Sequence, residues 1–89
     1  MDKQKLREQL QELHAELQQV ESLDVSERET LQGLANDVRE ILRRGDDRTQ
    51  HYSSLGDQLR EVVAQVEASH PRVTMLMRQV IDQLAYLGI

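Results

Sequence analysis

Pro71, the only proline in the chain, is the feature that most constrains the fold. Proline has no backbone N–H, and it disfavours the α conformation at the preceding residue, here His70. A helix that approaches from upstream must therefore end by about residue 69. A new helix can begin at Pro71, because proline suits the first helical position. Two helices consequently meet at a sharp corner with a connection of one or two residues.

The segment at the other end of the chain carries a narrow apolar seam with a spacing of 4-3-4-3 residues. This is the spacing of the core positions of a coiled coil, and nearly all other positions of the segment are polar. It predicts helix 1 over residues 2–21, able to contact one or two neighbours. The seam consists of Leu6, Leu10, Leu13, Leu17 and Val20.

Helix 2 is predicted over residues 25–44. Ser26 with Glu29 fits a capping box, and Asp24 with Glu27 is a second candidate one turn earlier. Both starts remain open from the sequence. The stop is indicated by Arg43 and Arg44 followed by Gly45, because cations complement the helix dipole and glycine takes the left-handed conformation after a helix.

Helices 3 and 4 are predicted over residues 51–69 and 71–87. Helix 3 repeats the apolar spacing of helix 1, with Gly56 at the edge of its stripe, where another helix can approach closely. Helix 4 is the most apolar of the four, and on a helical projection its main stripe covers an arc of about 140°. Met75 and Tyr86 fall outside that arc, and we therefore interpret them as candidates for burial against another molecule.

The predicted fold class is all-α, a single domain over residues 1–89. Helices 1–2 and 3–4 form two antiparallel helical hairpins that pack as a four-helix bundle with coiled-coil-like contacts. The core must be aliphatic, because the chain has thirteen Leu and eight Val but no Phe or Trp. A core of this size is often completed by self-association, so the sequence leaves open whether the bundle closes within one chain or between chains.

The composition argues against several classes of function. The absence of cysteine excludes disulfides and thiolate chemistry. The N-terminal residues are charged and no apolar run is long enough for a membrane span, so we expect a cytoplasmic protein without a secretory signal and without a membrane partner. The net charge of −5 argues against a broad nucleic-acid surface, and the only local basic cluster is the Arg39–Arg48 region, which holds Arg39, Arg43, Arg44 and Arg48.

The residues that could carry chemistry do not form a recognisable site. Glu67 and His70 make one Glu-x-x-His pair, half of the motif that di-iron bundles use twice with two further Glu. We regard these two residues as weak metal candidates and a capped helix corner as the better interpretation. His14 and His51 are interpreted as boundary and surface residues. We expect no catalytic residue, no cofactor and no enzymatic activity.

The leading functional hypothesis is a non-enzymatic, homo-oligomeric protein-interaction module. Its expected partners are itself, as a homodimer or a higher oligomer, and a further protein that the sequence does not identify. The alternatives are a small regulator that contacts nucleic acid through the Arg39–Arg48 region, and a bundle that binds a metal or small ligand near Glu67 and His70. Candidates for the oligomer interface are Met75, Tyr86 and the leucines of the helix 1 seam, Leu6, Leu10, Leu13 and Leu17.

Four stretches of the chain also resemble a known family. The C-terminal EASHPRVT and VIDQLAYLGI, together with the N-terminal LREQLQELHAEL and LDVSERETLQGL, are similar to a small bacterial family described as domain of unknown function 4404. The likeness extends over nearly the full chain. It implies a compact helical protein of bacterial origin, and it implies no activity, cofactor or catalytic residue.

Overall fold

The protein is all-α in the computed structural model, which describes residues 3–21, 24–44 and 49–88. The predicted fold class is confirmed. The described ranges form four helices, which we number in chain order: α1 Lys3–Gln19, α2 Val25–Arg44, α3 Thr49–Val66 and α4 Pro71–Tyr86. The starts of α2 and α4 are as predicted, whereas α1 ends two residues early, α3 begins two residues early and α3 ends three residues early.

The start of α2 follows the Asp24 alternative. The backbone N–H of Glu27 donates to Asp24 Oδ1 over 3.0 Å, and the N–H of Arg28 donates to the Asp24 carbonyl, also over 3.0 Å. Asp24 is therefore the N-cap, because its side chain satisfies an N–H that the first turn leaves without a partner. Ser26 lies inside the first turn instead of capping it.

The end of α3 differs from the prediction because the chain turns before the proline. The N–H groups of Ser69 and His70 both donate to the carbonyl of Val66, over 3.1 and 2.8 Å. His70 adopts φ −135° and ψ 68°, outside the helical region, as expected for a residue before proline. It is the N-cap of α4 through its carbonyl, which accepts from the Thr74 N–H over 3.1 Å. The connection is thus residues 67–70, longer than predicted.

The four helices stand at the corners of a square bundle. Helix α1 packs against α2 and α4, and α3 packs against the same two helices, whereas the diagonal pairs are not in direct backbone proximity. Neighbours are antiparallel, since Glu16 near the end of α1 reaches Arg72 at the start of α4, and Arg7 near the start of α1 reaches Leu42 near the end of α2. The apolar α4 occupies one of the four corners, between α1 and α3.

The core is enclosed by the chain's own helices. The radius of gyration is 12.3 Å, close to the roughly 12 Å expected of a compact chain of this length. Each helix contributes one stripe of buried aliphatic side chains, and Tyr52 adds the one buried aromatic ring of the described residues. The four stripes face one another, so this core does not require a second chain to cover it.

The last turn of α4 ends at a glycine. Gly88 has a φ of 78°, in the left-handed region, and its N–H donates to the carbonyl of Ala85 over 3.1 Å. This is the role of a glycine directly after a helix C-cap. The prediction that Gly45 takes the same role after α2 lies outside the described residues.

Candidate functional site

The outward side of α4 carries two large apolar side chains in water. Met75 is 48% exposed and Tyr86 is 84% exposed. On a helical projection they fall with Gln79 and Asp82 on one line about 60° wide. We call these four residues the outer stripe of α4. Gln79 and Asp82 are also exposed, so the whole stripe faces solvent.

The orientation of α4 follows from its inner side. Six inward positions are buried, and five of them are apolar, which determines the side of the helix that faces the core. The sixth, Thr74, is fully buried but donates its hydroxyl to the Pro71 carbonyl over 3.0 Å, so it carries no unsatisfied group. Met75 and Tyr86 point outward because the core selects the opposite side of the helix. The inward residues are Val73, Thr74, Leu76, Met77, Val80 and Leu84.

Exposed apolar groups elsewhere are sparse in the part of the chain that the structure describes. The one other large hydrophobic side chain that is exposed there is Val25, 61% exposed at the first residue of α2. A single exposed apolar residue is normal on a soluble protein. The outer stripe of α4 differs because two such residues lie on the same line of one helix.

The leucine seam of α1 is placed inside the fold. All four leucines are at most 7% exposed and belong to the cluster that α2, α3 and α4 complete. In this fold they are therefore covered by the chain itself, because the stripe that the sequence shows is the one that the bundle core uses. The residues concerned are Leu6, Leu10, Leu13 and Leu17.

The residues of the Glu-x-x-His pair have separate partners. Glu67 accepts a hydrogen bond from Arg78 Nη2 over 2.5 Å. The ring of His70 lies against α2 instead, with Nε2 3.3 Å from Glu27 Oε1. Nε2 is buried and has no hydrogen-bond partner. The ring nitrogen therefore lies close to the carboxylate without the alignment of a hydrogen bond. The two candidate metal residues thus do not converge on one point.

Glu27 of α2 instead contacts two residues of the connection between α3 and α4. Ser69 donates its hydroxyl to Glu27 Oε2 over 3.1 Å, while His70 approaches the other carboxylate oxygen. The side chains of Glu27 and His70 are only 21% and 14% exposed, so the contact is partly shielded from water. The arrangement holds the corner in place. It has no nucleophile-to-base contact, because Ser and His both face the same carboxylate.

The arginines near the end of α2 are bound to a carboxylate of their own helix. Arg43 donates to both oxygens of Glu40, over 2.8 and 3.1 Å, and Arg44 Nη2 lies 3.8 Å from Glu40 Oε1. The hydrogen bond from Arg43, with the positive charges nearby, lowers the pKa of Glu40. The same pair raises the pKa of Arg43. Arg48, the last member of the basic cluster, lies outside the described residues.

One surface groove was not predicted from the sequence. It lies between α2 and α3 and has a volume of about 320 Å³. Ile41 and Leu55 provide apolar surface, while Gln58 donates to Asp37 Oδ2 over 2.9 Å across the groove. Its lining residues come from two helices, and only the relative rotation of those helices brings them together. No sequence spacing signals such a site.

Two further features are absent from the described ranges. Within them, no set of three or more His, Cys, Asp or Glu side chains is arranged to hold a metal ion. None of the helices found there has the length and apolar character to cross a membrane.

Comparison with known proteins gives one finding. No curated protein and no solved structure matches the chain. A family model described as domain of unknown function (DUF4404) matches residues 6–89, which is nearly the whole sequence. The resemblance seen in the four sequence stretches is confirmed, and the chain belongs to the DUF4404 family.

Proposed function

We propose that this protein is a non-enzymatic helical interaction module that binds other proteins, in the first place a second copy of itself, through the outer stripe of α4. The observation that carries the proposal is the exposure of Met75 and Tyr86 on one line of a helix whose core side is already complete. Aromatic residues and Met are enriched in protein interfaces. Exposure of both apolar side chains to water is unfavourable in free energy, and burial against a partner would remove that penalty.

The charge distribution supports a protein partner over a nucleic acid. The net charge is −5, and two arginines of the basic cluster are bound to Glu40. Neutralising phosphates requires several free Lys or Arg side chains on one surface. The outer stripe contributes only Asp82 as a charged group, with Arg78 beside it, which fits the polar surroundings of a small protein interface.

The proposal is tested by the mass of the protein in solution. We expect light scattering to give a concentration-dependent mass that approaches twice the 10.3 kDa of one chain. Met75→Glu and Tyr86→Glu should each shift the protein towards the monomer while far-UV circular dichroism stays unchanged. Burying a carboxylate against a partner is costly, whereas on the free surface it is tolerated.

Val25→Glu is the matched control. It also places a carboxylate at an exposed large hydrophobic residue, 61% exposed, but on α2, the helix diagonal to α4. It should leave the mass distribution as in the wild type. If Met75→Glu and Tyr86→Glu both keep the wild-type mass, or if Val25→Glu dissociates the protein equally well, the outer stripe of α4 is not the interface.

A further inference from the structure

We infer that two copies of this chain pair through α4 in an antiparallel manner, about a two-fold axis that passes the helix between residues 80 and 81. This inference rests on the proposed function and adds the geometry of the complex. It starts from the outer stripe, whose positions 75, 79, 82 and 86 are separated by 4, 3 and 4 residues. This spacing reads the same in both directions, so the stripe can face an inverted copy of itself in register.

The antiparallel register brings unlike side chains together. Its centre lies midway between Met75 and Tyr86, which are about 16 Å apart along the helix axis. Met75 of one copy therefore lies opposite Tyr86 of the second copy, and the same contact recurs at the other end. A thioether beside an aromatic ring is a favourable contact. Both exposed apolar groups of the stripe are covered in this way.

The polar centre of the stripe also fits only an inverted partner. Gln79 of one copy lies opposite Asp82 of the second copy, so an amide N–H can donate to a carboxylate. Arg78 of one copy stands about 1.5 Å along the axis from the level of Asp82 of the second copy, within reach of a long side chain. Arg78 is half exposed and is bound on the surface to Glu67, an ion pair that costs little to rearrange.

A parallel pair would lack these contacts. It would place Asp82 opposite Asp82 of the second copy, and two carboxylates in one layer of a helix pair repel each other. It would also place Met75 opposite Met75 and Tyr86 opposite Tyr86. Within the described residues Asp82 makes no hydrogen bond or ion pair, so a second copy would give this exposed carboxylate its first partner. The charge on the stripe thus selects the antiparallel orientation.

The size of this surface sets the expected strength. Helix α4 has sixteen residues and is about 24 Å long. One exposed helix side of that length buries less than the roughly 800 Å² per partner of a standard stable interface. We therefore expect a weak dimer that forms and dissociates with concentration.

Cross-linking tests the orientation, since the chain has no cysteine of its own. Met75→Cys and Tyr86→Cys proteins are prepared separately, mixed in equal amounts and equilibrated in a glutathione redox buffer. The antiparallel pair should give the mixed Met75→Cys/Tyr86→Cys disulfide in at least tenfold excess over either homodimer. Val25→Cys serves as the control for random collision. Its yield of disulfide-linked dimer should not exceed the yield of the Met75→Cys or Tyr86→Cys homodimer.

The outcomes separate this inference from the proposed function. Homodimers in excess, or a statistical mixture, would overturn the antiparallel orientation even if Met75→Glu dissociates the protein. A wild type that stays monomeric at every concentration would overturn both the antiparallel pair and self-association through the outer stripe. A charge exchange gives a second measurement that does not depend on disulfide geometry. Asp82→Arg should weaken the dimer, and adding Arg78→Asp should restore it. Failure of the double variant to restore the dimer would count against the inverted register.

Discussion

Arg7 on α1 donates a 2.6 Å hydrogen bond from Nη2 to the carbonyl oxygen of Leu42 in the last turn of α2. The last four carbonyls of a helix have no partner within the helix, so a side chain from a neighbouring helix can satisfy one of them. This contact joins residues 35 positions apart in the sequence. It therefore joins the start of α1 to the end of α2 at the open end of their hairpin. The carbonyl is satisfied by a distant side chain and not by a local cap.

Removal of this bond should destabilise the fold measurably. A hydrogen bond to a charged group contributes about 1.5–3 kcal/mol when shielded, and we expect about 1 kcal/mol here because the pair is exposed. Urea unfolding of Arg7→Gln would measure the change. Arg60→Gln is the control, since Arg60 binds Asp57 on its own helix through a surface ion pair. Equal stability of the two variants would show that the Leu42 contact contributes nothing.

The two glycines inside helices predict different effects of the same substitution on stability. A Cβ at Gly33 in α2 would meet no atom within 4 Å, so Gly33→Ala should raise the free energy of unfolding by about 0.5–1 kcal/mol through helix propensity alone. A Cβ at Gly56 in α3 would lie 3.3 Å from Leu84 Cδ1 of α4. Gly56→Ala should therefore gain less than Gly33→Ala, or lose stability, because the Leu84 side chain must move by a few tenths of an ångström. Thermal unfolding of both variants decides this, and a larger gain at Gly56 would contradict the close approach.

These cases show what the sequence could predict. Apolar spacing in α1 identified the residues that the core buries, because burial of one helix side is what produces that spacing. The close approach at Gly56 was predicted from its place at the edge of the α3 stripe. The start of α2 was left open between Ser26 and Asp24, since both fit the same capping pattern and only the backbone geometry distinguishes them.

The parts that sequence reasoning missed depend on distant pairs. Ser69 and Glu27 are 42 positions apart, and Gln58 and Asp37 are 21 apart. Such pairs are set by how far each helix is rotated about its axis, and the apolar stripes restrict that rotation only coarsely. The length of the α3–α4 connection was wrong for a related reason. Proline forbids helix at His70 but does not specify where the preceding turn begins.

The contact of Glu27 with the α3–α4 corner predicts a position-specific effect on stability. Glu27→Gln removes the charge that faces His70 and alters the acceptor of the Ser69 hydroxyl. We expect a loss of about 1 kcal/mol, typical of a partly shielded hydrogen bond. Glu29→Gln, two residues further along the same helix and exposed, is the matched control and should change stability by less than about 0.5 kcal/mol. A loss at Glu29 as large as that at Glu27 would mean that the corner contact is not the cause.

The pair of Glu40 and Arg43 predicts a pH dependence with a defined sign. The hydrogen bond from Arg43 lowers the pKa of the Glu40 carboxyl below its value in the unfolded chain. The pair therefore adds stability above the unfolded pKa, and this contribution is lost as the pH falls through the lower pKa of the folded state. In Arg43→Gln, carbon NMR of the carboxyl should show the pKa of Glu40 rising towards its ordinary value, because the largest cause of the shift has been removed. Arg60→Gln, which removes a remote charge, should leave it unchanged, and an equal rise there would assign the shift to net charge and not to the Arg43 bond.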